Sequence, residues 1–70
     1  MLLEQISMFS RIAKEQSISK AAQAIHISQP ALSQQMQRLE EELGVKLFER
    51  SNRGIILTRA GEVMQKYSEQ

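Results

Sequence analysis

The chain has no cysteine, no aspartate, one histidine and one proline among its 70 residues. Without cysteine there is no disulfide framework, no thiolate zinc site and no cysteine nucleophile. A single histidine, His26, excludes a multi-histidine metal site and any relay that needs two imidazoles. Aromatic residues make up only 4% of the sequence, too few for a base-stacking platform for single strands. No apolar run approaches the roughly 20 residues of a membrane span. No basic segment leads into an apolar stretch at the N-terminus, so no secretory signal is expected. The length accommodates one small domain and not two. The net charge is only +1, and that total alone gives no hint of nucleic acid.

The distribution of charge says more than its sum. Residues 16–38 contain no acid and carry Lys20 and Arg38. Residues 39–49 hold Glu40, Glu41, Glu42 and Glu49 against Lys46 alone. Residues 50–61 carry Arg50, Arg53 and Arg59, again without an acid. Two basic stretches therefore flank one acidic stretch, a pattern that ordinary solvated charge also produces.

Pro30, Gly44, Gly54 and Gly61 are the strong punctuation, and the apolar spacing between them is mostly helical. Leu2, Ile6, Phe9 and Ala13 step by four, three and four, which predicts an amphipathic helix over about residues 2–15 with these four inward. Ser17 and Ser19 offer oxygens to the orphan amides of a second, short helix whose face is Ala21, Ala22, Ala24 and Ile25. His26-Ile27-Ser28 reads as a turn, with Ile27 directed into the core. Ser28 is a candidate N-cap, and Pro30 sits in the first helical turn, where a missing N–H costs nothing. Leu32, Met36, Leu39 and Leu43 then make the inner stripe of a third helix, with Gly44 as its C-cap. A tight connection leads to a strand around Phe48–Arg50. Ser51-Asn52-Arg53-Gly54 is turn chemistry, and Ile55-Ile56-Leu57 is β-branched and strand-like. Thr58 can cap a fourth helix lined by Val63, Met64 and Tyr67. Phe9, Leu32, Leu39, Leu47 and Phe48 are the expected centre of the core.

A short helix joined to a longer one through about three residues is the helix-turn-helix signature, and the hairpin makes it a winged version. Such an arrangement places the N-terminal part of its second helix in the DNA major groove. The outer face of residues 28–38 carries Gln29, Pro30, Ser33, Gln34, Gln37 and Arg38 and no acid. Glutamine pairs bidentately with adenine, and serine serves either a base or a phosphate. Arg53, beside Asn52 and Gly54 at the hairpin tip, suits a narrow minor groove or a phosphate. Lys20 near a helix start can add to phosphate binding there. Arg50 suits a phosphate or an internal pair with Glu40–Glu42, and the internal pair is favoured. On pattern alone a protein-interaction module stays open. An enzyme is a distant third: Ser33 has no base in register, and Glu40 and Glu41 sit on different helix faces.

Five linked blocks carry a family resemblance: Ser19-Lys20-Ala21-Ala22, Ile27 to Ser33, Leu39 to Gly44, Leu47-Phe48-Glu49-Arg50, and Leu57-Thr58-Arg59-Ala60-Gly61. Together they closely resemble the N-terminal domain of LysR-type transcriptional regulators, from about residue 2 to residue 61. The resemblance implies a mainly α, winged helix-turn-helix fold: a three-helix core, a small β-hairpin wing and the start of a C-terminal linker helix. The expected division is a DNA-binding domain at 1–58, with its helix-turn-helix at about 18–37, and a dimerising linker helix from 59 to 70. It implies a cytoplasmic bacterial regulator that binds a double-stranded DNA operator as a homodimer, with higher oligomers in a full-length protein. Lys20, Ser28, Gln29, Pro30, Ala31, Ser33, Gln34, Gln37, Arg38 and Arg53 are the expected DNA-binding residues. Val63, Met64 and Tyr67 are the expected dimerisation residues. Many family members carry a basic residue where this chain has Gln34, a departure that bears on base preference. No cofactor, metal or membrane is implied. A small-molecule inducer would act only through the large C-terminal effector domain that family members carry, so the chain is expected to be either an excised reading head or a naturally short protein, with the first favoured.

Overall fold

The computed structural model describes residues 2–68. The first residue of the expected DNA-binding domain and residues 69–70 of the expected linker lie outside the described residues. The elements run α1 (Leu2–Glu15), α2 (Ile18–Ala24), α3 (Gln29–Leu43), β1 (Phe48–Ser51), β2 (Gly54–Leu57) and α4 (Arg59–Ser68). The fold is mainly α, with a two-stranded antiparallel hairpin.

α1 forms where the apolar spacing places it, but its inner face is rotated. Gln5, Phe9, Ile12 and Ala13 are buried, whereas Leu2 is 41% exposed and Ile6 is only partly covered. Gln5 turns inward because its Nε2 donates to Gln35 Oε1 on α3 at 3.1 Å. A buried polar group that finds its partner stabilises where an unpartnered one would cost. Apolar spacing cannot register such a residue.

Two capped starts shape the middle of the chain. Ser17 Oγ accepts from the Lys20 N–H at 3.1 Å and opens α2. Ile18, Ala21 and Ala22 then face the core, while Ala24, expected inward, is exposed. The small alanines let α1 and α3 pack closely on α2. Ile27, half-buried, packs against the core from the turn. Ser28 Oγ accepts from the Ala31 N–H at 3.2 Å, with Pro30 in the first turn of α3. Leu32, Met36 and Leu39 are buried as expected. Leu43 is not: it is 38% exposed, because it ends the helix one turn past Leu39, where Gly44 (φ 73°) reverses the chain.

The hairpin pairs Phe48 with Leu57, Glu49 with Ile56, Arg50 with Ile55 and Ser51 with Gly54. Only Asn52 and Arg53 form the loop, so Ser51 and Gly54 belong to the strands rather than to a four-residue turn. The Ser51 hydroxyl donates to the Gly54 carbonyl at 3.2 Å and accepts from the Arg53 N–H at 3.3 Å. Gly54 has φ 118°, and a Cβ there would stand 2.4 Å from the Gln16 carbonyl oxygen. The Ile55 N–H donates to that same carbonyl at 3.4 Å, so the wing rests on the α1–α2 corner.

Phe9, Ile12, Leu32, Met36, Leu39 and Leu47 are fully buried, and the Phe9 and Phe48 rings stack with centroids 6.5 Å apart. All five residues expected at the centre of the core are in it; Ile12, Ile18, Ala21, Ala22 and Met36 complete it. α4 joins through Ala60 and Met64, and through Gly61, which is buried against Leu47. A Cβ on Gly61 would stand 1.9 Å from the Leu47 carbonyl oxygen. Among the described residues no helix is long and apolar enough to cross a membrane.

Gly61→Ala must therefore push α4 off the connector. The gain in helix propensity, about 0.5–1 kcal/mol, is smaller than the roughly 1–3 kcal/mol typical of overpacking. Urea denaturation is expected to show a net loss of stability.

Candidate nucleic-acid interface

The outer face of α3 is built by the stripe on its inner side. With Leu32, Met36 and Leu39 buried, Gln29, Pro30, Ala31, Gln34, Gln37 and Arg38 are all exposed. Ser33 is half-buried at the edge of a cleft between α3 and the wing. Pro30, Ser33, Gln34, Gln37, Lys46 and Arg50 line that cleft. Ala31 and Arg38 are not among its lining and belong to the opposite flank of the helix. Glu40 and Glu49 also border the cleft.

Arg50 corrects one expectation. Its guanidinium does not pair with Glu40, Glu41 or Glu42; Nη2 donates to Ser33 Oγ at 2.7 Å. The Glu40 carboxylate instead binds backbone: its Oε2 accepts from the Leu47 N–H at 2.7 Å. Glu41 and Glu42 are exposed on the last turn of α3. The ion pair found among the described residues is Arg11 with Glu15 at 3.4 Å, one turn apart on α1. Lys20, Arg38, Arg50 and Arg53 thus have no carboxylate partner among the described residues, and their charge is open to solvent. Lys20 is exposed in the first turn of α2, and Arg53 is exposed in the hairpin loop. Ser28 differs from its neighbours: its hydroxyl oxygen is already used as the helix cap.

A second groove runs between α1 and α4, lined by Leu3, Ile6, Ser10, Ile25, Met64 and Tyr67. Of the three expected dimerisation residues, Val63 and Tyr67 are 48% and 68% exposed, while Met64 is partly used by the core. Leu3, 75% exposed, also borders the groove; it falls off the α1 stripe, so no spacing rule could flag it. The other feature that sequence reasoning missed is the Arg50–Ser33 hydrogen bond. It joins residues 17 positions apart, and no local pattern encodes that.

A family model described as "Bacterial regulatory helix-turn-helix protein, lysR family" matches residues 3–62. The chain belongs to this family. It is 50% identical over 66 residues to a probable RuBisCO transcriptional regulator of Cyanidioschyzon merolae, covering 94% of this chain and 22% of that protein. It is 52% identical over 62 residues to the HTH-type transcriptional regulator BudR of Klebsiella aerogenes, covering 89% of this chain and 43% of that one. The chain thus spans about a fifth of the first of these relatives and under half of the second. Among solved structures it resembles BenM_DBD in complex with catB site 1 DNA, with a TM-score of 0.92 and 42% identity over 99% of this chain and 78% of that one. It is equally similar to CbnR_DBD bound to DNA, with a TM-score of 0.91 and 42% identity over 99% of this chain and 79% of that one. The winged helix-turn-helix of this LysR-family chain is therefore the fold of the family's DNA-binding domain, and both fold and family are those of a regulator rather than an enzyme.

The cleft's geometry leans on Glu40. Glu40→Ala leaves the N–H of the fully buried Leu47 without its partner, at a cost of about 1–3 kcal/mol. Glu40→Gln, which keeps an acceptor oxygen, is expected to recover most of that loss in chemical denaturation.

Proposed function

We infer that this LysR-family chain reads a double-stranded DNA operator for a bacterial transcriptional regulator acting in the cytoplasm. Residues 1–58 form the reading unit, with the helix-turn-helix at about 18–37, and 59–70 begin the linker helix. The N-terminal half of α3 enters the major groove, and the wing lies at the adjacent minor groove. The observation that carries this reading is the exposed face of α3 from Gln29 to Arg38. It holds no acid, and it continues into a wing whose arginines have no carboxylate partner. A phosphate backbone can approach this face of α3 without like-charge repulsion from α3 itself, and the acids near it are Glu40 and Glu49 at the border of the cleft. The relatives described as transcriptional regulators and the neighbours solved with DNA support it.

Gln29, Pro30, Ala31, Ser33, Gln34 and Gln37 face the base edges and adjoining backbone. Lys20, Arg38 and the Ser28 end of α3 face phosphates, and Arg53 enters or flanks the minor groove. Gln34 replaces a cation with an amide that accepts as well as donates, which favours base reading over phosphate attraction at that position. Two such heads act as a homodimer through Val63, Met64 and Tyr67, so the operator holds two half-sites. An inducer would act through a C-terminal effector domain in the whole regulator.

Selection of bound duplexes from a random pool at two salt concentrations tests this reading. Paired half-sites and a falling affinity with salt are expected; recovery of no common sequence would sink it. Arg53→Ala should weaken binding to all duplexes alike and reduce the salt slope by about 1. An unchanged slope would remove the wing from the contact. Gln29→Ala should instead relax discrimination at one base pair, at a cost of about 1–3 kcal/mol on the preferred site. Uniform weakening across sequences would show that Gln29 reads no base.

A further inference from the structure

Ser33 stands on the reading face of α3 with its hydroxyl already engaged by the wing. Arg50 Nη2 donates to Ser33 Oγ at 2.7 Å. A serine hydroxyl has one proton and two lone pairs, whereas a guanidinium has donors only. In this pair Ser33 must be the acceptor, and its own proton remains available. A helical serine often returns that proton to a carbonyl one turn earlier. Here no such bond forms: among the described residues no group accepts from Ser33 Oγ. Arg50 is exposed, has no carboxylate within ion-pair distance, and uses one of its five N–H groups on Ser33.

We propose that Arg50 is a specificity-determining positioning residue: its hydrogen bond turns Ser33 from a two-way hydroxyl into a hydrogen-bond donor toward the DNA. This rests on the duplex-reading role proposed above. Unassisted serine serves base-edge donors and acceptors alike. With a cation on one lone pair, the O–H bond is polarised and donates more strongly. A second donor approaching the remaining lone pair meets the guanidinium charge. Ser33 therefore selects an acceptor, such as a purine N7, guanine O6 or thymine O4, and rejects the amino edges of cytosine and adenine. The wing thus helps to read bases that it does not touch.

The experiment compares the wild-type chain with Ser33→Ala, Arg50→Met and the double variant, each selected against the same random duplex pool. Thermal melting confirms that each is folded, and Arg50→Ala replaces Arg50→Met if the latter does not fold. For wild type, one base pair should favour an acceptor by roughly threefold to tenfold, the worth of one net hydrogen bond. Ser33→Ala and Arg50→Met should each lose discrimination at that same base pair, and the double variant should lose no more than either one. Discrimination kept intact in Arg50→Met, with only the salt slope reduced, would make Arg50 a phosphate clamp and overturn the proposal. Independent, additive losses at different positions would overturn it as well. A wild-type chain that binds no duplex would overturn the duplex-reading role itself, a failure visible before any variant is compared.

Discussion

The peptide unit of Leu47 is where the domain is tied together. Its N–H donates to the Glu40 carboxylate of α3, and its carbonyl accepts from the Thr58 N–H, just before α4. Its side chain fills the core, and its carbonyl lies against the one position in α4, Gly61, that has no Cβ to obstruct it. One residue of connector thus fixes three elements relative to one another. Thr58 reinforces the join: its hydroxyl donates to the Lys46 carbonyl at 2.6 Å and accepts from the Gly61 N–H at 3.1 Å. A core of this size contributes only ~3–5 kcal/mol, so fixed polar contacts of this kind hold a substantial share of the stability.

The placement of the wing follows from that join. β1 leaves Leu47 directly, so the angle at which the hairpin stands over α3 is set at the connector. The Gln16 carbonyl receives the other side of the hairpin through Ile55, where only glycine at position 54 fits. Held at both points, the hairpin brings Arg50 over Ser33 and leaves Arg53 at an exposed tip. The cleft between α3 and the wing is therefore set by contacts at both ends of the hairpin.

Charge placement follows the same frame. The Glu40 carboxylate, at the border of the cleft, holds the Leu47 N–H through Oε2. Glu41 and Glu42 stand at the far end of α3. Lys20, Arg38, Arg50 and Arg53 have no carboxylate partner among the described residues. A nearly balanced total charge thereby coexists with an acid-free outer face on α3 from Gln29 to Arg38, while Glu40 and Glu49 stand with Lys46 and Arg50 around the cleft.

Much of this was legible in the residues themselves. Ser17, Ser28 and Thr58 mark helix starts because a side-chain oxygen beside orphan amides acts locally. Gly44 and Pro30 act through backbone angles that their own chemistry dictates. The Leu32-Met36-Leu39 stripe is set by helical period, which also defines the outward face of Gln29, Gln34, Gln37 and Arg38. The five linked motif blocks made the family visible at once. What only the tertiary structure decided depends on partners distant in sequence. Gln5 is buried because Gln35 lies opposite; Leu43 and Leu2 are exposed because, among the described residues, no element covers the helix ends on which they sit. Arg50 pairs with Ser33 rather than with the glutamates at the end of α3, a partner 17 positions away that packing of the wing brings to it. Local rules describe a residue and its neighbours within a turn or two, and competition among alternative partners is settled only when the whole chain has packed.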